Sequence, residues 1–188
     1  MYTVIGATRT RTLRVMWLLE ELGETYDQDP AAPNSDSALK YNVLGKIPAL
    51  VDNGHTLTDS VAIMTYLADK HGRFTAPAGT PQRALQDAMT LWLIDEVDAT
   101  LWTSTRHKDA VPGLEARMHG HYAESMQILS NRLQSEFLMG DEMTVPDILA
   151  AHCMGWGASA GFPPLDDKLQ DYLKRMRARP AFHAALKH

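Results

Sequence analysis

Apolar and polar positions change their period several times along the first part of the chain, and each change marks an element. Residues 2–6, Tyr2-Thr3-Val4-Ile5-Gly6, alternate weakly and are rich in β-formers, which predicts a short strand. From Thr12 the period lengthens. Leu13, Met16 and Trp17 fall on one helical face with Leu19 and Leu22 close by, Glu20 and Glu21 lie toward solvent, and Gly23 stops the helix. Thr25–Gln28 reads as a second strand. Pro30, Pro33, Asn34 and Ser35 make residues 29–37 a loop that leads into a short helix over Ala38–Leu44. Ala49-Leu50-Val51, Asp52-Asn53-Gly54 and His55-Thr56-Leu57-Thr58 read as strand, turn, strand, because Asn-Gly supplies the positive φ angles of a tight hairpin. Val61, Met64 and Leu67-Ala68 then recur at helical spacing, with Thr58 or Asp59 as N-cap and Gly72 at the end. The order is βαβαββα, an α/β domain over residues 1–74.

The pattern then changes class. Thr75-Ala76-Pro77-Ala78-Gly79-Thr80-Pro81 is small and Pro-rich, which places a linker over residues 75–82. Beyond it nothing reads as a strand, and helices are predicted near 82–106, 112–136, 145–157, 166–178 and 181–187, an all-α domain over residues 83–188. Thr144-Val145-Pro146-Asp147 is a helix start: Thr144 caps, Asp147 reaches back to the cap N–H, Pro146 breaks no helical bond in the first turn, and Met143 and Ile148 stand where a hydrophobic staple would place them. This box is assigned to folding and not to chemistry.

Composition narrows the function classes. Of 188 residues, 45% are hydrophobic and 22% charged, the balance of a folded globular chain. A net charge of -5 with the signs interspersed opposes nonspecific binding to nucleic acid or anionic membranes. The single cysteine, Cys153, permits neither an intrachain disulfide nor a Cys-x-x-Cys motif, in keeping with a reducing, cytoplasmic setting. The N-terminus has no charged flank followed by a long apolar run, so no secretory signal is expected, and no membrane span is expected either. His119 and His121, two positions apart, point to different helix faces, a poor arrangement for one metal ion. Cys153, in an apolar helix, reads as a buried small residue.

Several segments together resemble the glutathione S-transferase family. Thr10-Arg11-Thr12-Leu13-Arg14-Val15-Met16-Trp17-Leu18-Leu19-Glu20 is similar to the first loop and helix of a bacterial and fungal branch with Ser-Arg-x-x-Arg-x-x-Trp-Leu-Leu-Glu. Asn42-x-x-Gly45-Lys46-Ile47-Pro48-Ala49-Leu50 resembles the family's Asn-Pro-x-Gly-x-Val-Pro-x-Leu, and Leu57-Thr58-Asp59-Ser60-Val61-Ala62-Ile63-x-x-Tyr66-Leu67 its Leu-x-Glu-Ser-x-Ala-Ile-x-x-Tyr-Leu. The Thr144 box and the tail Tyr172-Leu173-x-x-Met176-x-x-Arg179-Pro180-Ala181-Phe182 also resemble family counterparts. The resemblance implies a thioredoxin-like domain that binds glutathione, followed by the all-α domain.

It also implies site residues. At Ile47-Pro48 the plain reading is a turn-forming proline at a strand edge; the resemblance implies a cis peptide whose Ile47 N–H and C=O pair with the cysteinyl residue of glutathione like an added strand. Asp59 and Ser60 cap a helix, and in the family's manner Ser60 would hold the γ-glutamyl carboxylate and Asp59, which stands where the family has Glu, its amine. Lys46, ahead of Lys40, is a partner for the glycyl carboxylate. The reaction needs a thiolate, and the free thiol's pKa of about 8.5 leaves little of it at neutral pH. Thr10, aligned with the branch's Ser, or the Arg11 backbone N–H would donate to the sulfur, and the Arg11 side chain would add positive field. Thr8 is the alternate, Tyr2 a weaker candidate, and Thr10 also reads as a plain N-cap. Trp102, Arg106 and His107 would line the pocket for the electrophile. The resemblance thus implies an enzyme that joins glutathione to a small apolar electrophile, or reduces peroxides at the same site, a homodimer with no metal and no cofactor beyond glutathione as co-substrate. The rival is a glutathione-binding or protein-interaction protein of this fold without the chemistry.

Overall fold

The computed structural model describes residues 1–107 and 110–188; Lys108 and Asp109, inside the predicted all-α stretch, lie outside the described residues. Among the described residues the chain forms two compact units: Met1–Pro77 with Ala178–His188, and Ala78–Arg177. The sequence reading carried the helical domain through residue 188, whereas the tail clusters with the first unit.

In the first unit β1 (Tyr2–Ile5), β2 (Tyr26–Asp29), β3 (Ala49–Asp52) and β4 (His55–Thr58) form one mixed sheet in the order β2-β1-β3-β4. β1 runs parallel to β2 and antiparallel to β3, and β3 to β4 is a hairpin whose turn residues Asn53 and Gly54 have φ of 49° and 81°. Both are positive, as a two-residue turn of this hand requires. The helices are α1 (Leu13–Leu22), α2 (Asp36–Tyr41), α3 (Ser60–His71) and, from the tail, α9 (Pro180–Ala185). Val4 and Leu50 are fully buried on one face of the sheet. Ile5, Ala49 and Val51 on the other face pack with Ala31, Ala38 and Tyr41. α2 begins two residues before the predicted start because Ser35 caps it, accepting the Ala38 N–H at 3.2 Å, and it ends at Tyr41 where Asn42 turns extended.

α1 is the centre of this unit, with Val15, Met16, Trp17, Leu18 and Leu19 fully buried. It packs against α3 and α9. Gly23 in the left-handed conformation ends it, and the Arg73 guanidinium donates to the Leu22 and Glu21 carbonyls there. A cation on terminal carbonyls complements the helix dipole.

The second unit is helical. α4 (Pro81–Trp92), a π-helical stretch over Leu93–Asp98 and α5 (Ala99–His107) follow one another without a break, matching the predicted helix near 82–106. α6 (Leu114–Arg132), α7 (Val145–Ser159) and α8 (Asp167–Arg177) complete it. α6 is shorter than predicted at both ends; Gly113, with φ of 80°, sets its start. α7 is apolar almost all round and packs against α4, α5 and α8, as a core helix must. Gly157 lets Tyr122 approach so closely that an added Cβ would meet its hydroxyl at 2.5 Å. At the start of α7 the buried Asp147 takes four hydrogen bonds, from the Thr144 N–H and hydroxyl, the Leu138 N–H and the Tyr172 hydroxyl. Burial pushes its carboxyl up, against those four bonds, which favour the ionised form. No described helix is long and apolar enough to cross a membrane.

Candidate functional site

Strand register decides which loops meet. Ile5 pairs with Asp29 and Ala49, and Ala49 pairs with Thr58, so residues just past β1, just before β3 and just past β4 share one end of the sheet. Those residues are the first loop, Ile47-Pro48 and Asp59-Ser60. Tyr2 stands at the opposite end of β1, where the hydroxyl of its buried side chain hydrogen-bonds the His71 Nε2 at 2.9 Å, so it is separated from the other candidates.

The first loop folds tightly on itself. Gly6 has φ of 139°, and a Cβ there would meet Thr12 Oγ1 at 2.2 Å and Ile47 Cβ at 3.0 Å. No other residue type fits, and the close approach seats the first loop directly against Ile47. Thr8–Thr12 forms a wide turn ahead of α1, in which Thr10 is extended (φ -137°, ψ -166°). Thr10 Oγ1 accepts the Thr12 N–H at 3.1 Å and lies 2.7 Å from the Ala7 carbonyl and 2.9 Å from Thr12 Oγ1. This is N-cap geometry one turn before the regular helix begins. Thr8 donates to the His188 carbonyl at 2.9 Å and receives the Gln28 amide at 3.1 Å, so its proton is committed away from the loop's interior. Gln28 also donates to the Gly6 carbonyl at 2.9 Å. This brace was missed from the sequence, because a polar residue in a short strand carries no sign of which loop it will reach.

The Ile47-Pro48 peptide is cis. Ile47 is half-buried and Pro48 buried. Among the described residues neither the Ile47 N–H nor its C=O has a backbone partner, which leaves both edge groups open to an extended peptide. Asn42 shapes the approach to them: its amide donates to the Lys46 carbonyl at 3.0 Å and accepts the Leu44 N–H at 3.0 Å. Lys46 itself is exposed, and the Lys40 ammonium lies 5.3 Å from the Tyr41 ring centroid.

At the start of α3 Asp59 has φ of 71°, a conformation rare outside glycine and tolerated best by Asn and Asp. Its Oδ1 accepts the Val61 and Ala62 N–H groups at 2.8 and 3.1 Å. Those two donors are therefore occupied, and the anion-binding donors left at this helix start are the N–H and O–H of the buried Ser60. Arg14, fully buried in α1, donates to Ser60 Oγ at 3.2 Å. A guanidinium only donates, so Ser60 must direct its own proton elsewhere. Arg14 was read from sequence as part of a motif, not as a partner of Ser60. Trp102 and Arg106 lie in α5 of the second unit, the guanidinium 4.8 Å from the indole centroid, and His107 ends that helix.

A four-stranded mixed sheet with a cis-proline at the head of β3, facing the loop that opens the first helix, is a thioredoxin-like domain, here with a helical remainder. Residues 2–69 match the model of the glutathione S-transferase N-terminal domain. A 75-residue stretch is 37% identical to glutathione S-transferase 3 of Schizosaccharomyces pombe, covering 37% of this chain and 30% of that protein. Among solved structures, a glutathione transferase from Methylococcus capsulatus superposes with a TM-score of 0.89 at 24% identity, over 100% of this chain and 98% of that one. A glutathione transferase family member from Pseudomonas fluorescens, solved with two glutathione bound, gives 0.84 at 21% identity, over 98% and 92%. Residues 2–69 therefore carry the glutathione S-transferase N-terminal domain, and the chain as a whole has the glutathione transferase fold. It spans between 30% and 66% of the length of four curated relatives with which it aligns.

Proposed function

We propose that this chain is a glutathione S-transferase, which binds glutathione along the sheet edge at Ile47 and activates its thiol for attack on a small apolar electrophile. The observation that carries the reading is the convergence of the first loop, the open Ile47 backbone and the Ser60 donors at one end of the sheet. In it the cysteinyl residue pairs with the Ile47 N–H and C=O. Ser60 holds the γ-glutamyl carboxylate, the second Asp59 oxygen meets the amine, and Lys46 meets the glycyl carboxylate. A structural neighbour from Pseudomonas fluorescens, solved with two glutathione bound, supports glutathione as the ligand.

The thiol loses its proton to solvent. The Thr10 O–H turns toward the sulfur, and the Arg11 charge beside it favours the ionised form. The thiolate then attacks the electrophilic carbon: a C–S bond forms, and the leaving group departs with its bonding pair. Trp102 and Arg106 are assigned to the electrophile, and a homodimer is the expected assembly.

The test is retention on immobilised glutathione together with turnover of a reactive aryl halide. Both are expected. Thr10→Ala should lower turnover about ten- to a hundredfold, the worth of one hydrogen bond to a charged group. Unchanged turnover would move the donor role to Arg11 or its N–H. Retention without turnover would favour a binding protein, and failure of both would remove the assignment.

A further inference from the structure

The first loop carries a second hydroxyl that the chemistry above leaves unused. Thr12 is fully buried and shares its helical face with Val15, Met16 and Leu19, all of them apolar and fully buried. Valine has the same shape and would fill that place with no polar group to desolvate. The hydroxyl nevertheless stands there, in a space so narrow that Gly6 cannot carry a Cβ beside it. Its hydrogen-bond partner among the described residues is Thr10 Oγ1, at 2.9 Å.

The Ala7 carbonyl decides which of the two threonine hydroxyls donates to the other. The Ala7 carbonyl, 2.7 Å from Thr10 Oγ1, only accepts. With the single Thr10 proton directed there, the Thr12 hydroxyl is the donor in the 2.9 Å contact. Thr10 Oγ1 then receives two hydrogen bonds, from the Thr12 N–H and O–H, and gives one. Each bond received polarises the O–H that is given.

We propose that Thr12 is a positioning residue of the thiol-activating loop: its buried hydroxyl donates to Thr10 Oγ1, fixing and polarising the O–H that Thr10 turns from the Ala7 carbonyl to the glutathione sulfur. The inference rests on the assignment of Thr10 as the sulfur's donor. Neither threonine gives up its proton; the thiol proton leaves with solvent, and the two hydroxyls only reorient. When the Thr10 O–H leaves Ala7, the two bonds from Thr12 keep its oxygen in place.

The experiment titrates the thiol of bound glutathione through the ultraviolet absorbance of its thiolate, on the full chain, with affinity measured in parallel by calorimetry. Thr12→Val is expected to raise the bound thiol's pKa by up to about half a unit, roughly a threefold loss of thiolate at neutral pH, with binding retained. Thr12→Ser, which keeps the hydroxyl, should return the parent value. In a Thr10→Ala background Thr12→Val should add nothing. Thr12→Ala, read the same way, stands in if the valine variant does not fold. Tripeptide bound with an unchanged thiol pKa in Thr12→Val overturns the inference, and so does an equal shift in the Thr10→Ala background. A parent chain that binds no glutathione removes the proposed function itself, a result the calorimetry reads separately.

Discussion

At the scale of single residues, the proposed site gives Asp59 a second duty beside its cap, one for each carboxylate oxygen. Oδ1 closes the first turn of α3 on the Val61 and Ala62 N–H groups, and the proposed site gives the other oxygen to an ammonium. The duties separate by mutation. Asp59→Asn keeps an amide oxygen for the cap and tolerates the positive φ, but removes the charge. It should leave the melting temperature within a degree or two while weakening glutathione about tenfold in calorimetry. Asp59→Ala removes both duties and strains the backbone, costing about 1–2 kcal/mol of stability besides. Equal affinity in the Asn variant and the parent would show that the amine is held elsewhere. Ser60→Ala, which removes the hydroxyl that Arg14 donates to, should weaken binding by a similar factor without disturbing the cap. The cap at Asp59 was legible in the sequence. What the sequence did not carry was the division of donors between Asp59 and Ser60, because that depends on a φ angle and on a buried arginine from another helix.

Among elements, local patterning was read most accurately where one residue dictates backbone geometry. Gly23, Asn53-Gly54 and Gly72 end or turn their elements as expected, since each supplies a positive φ. The starts of α2 and α6, which moved, are set by Ser35 and Gly113. The clamp between β3 and α3 was not legible, because its partners are far apart in sequence. Asp52, at the end of β3, is buried and bonded to the Lys70 ammonium and, at 2.6 Å, to the Tyr66 hydroxyl, both on α3. The hydrogen bond from Lys70, and then that from Tyr66, hold the Asp52 carboxyl below the usual carboxylate range, and the same contact raises Lys70 above the usual lysine range. A depressed carboxyl stabilises the fold at pH values above its unfolded pKa, about 3.9, and that contribution is lost as pH falls through the folded value. A raised lysine keeps its contribution until pH climbs past the alkaline range. The melting-temperature difference between the parent and Asp52→Asn should therefore be flat from about pH 5 to pH 9 and shrink below about pH 4. A difference that persists undiminished in acid would mean that packing, not charge, holds this end of the sheet.

On the scale of the whole molecule, the chain returns to its first unit after building the second. The tail motif Arg179-Pro180-Ala181-Phe182 was read as a family likeness with no stated task; the structure supplies one. The Arg179 guanidinium grips both oxygens of Glu21, at 2.5 and 2.8 Å, and Glu21 Oε1 also takes the Trp17 indole N–H at 3.0 Å. Phe182 then lies on the Trp17 ring, 4.8 Å between centroids. A paired fork on a carboxylate with its side chain 8% exposed, beside an aromatic contact, makes α9 a structural part of the α/β unit. The sequence hid this because a tail after four helices looks like a fifth, and nothing local says which partner it will choose. Phe182→Ala should cost about 1–3 kcal/mol, since the half-buried ring covers Trp17, the largest side chain in the core of α1, and calorimetric unfolding would read the loss. Glu21→Gln weakens the fork and keeps the ring contact, so it should cost less than Phe182→Ala. The two variants should also lower the stability of the glutathione complex in the same order, because the loop that precedes α1 is positioned by that helix. If Phe182→Ala melts like the parent, the tail is an appendage, and α1 owes its burial to the sheet and α3 alone.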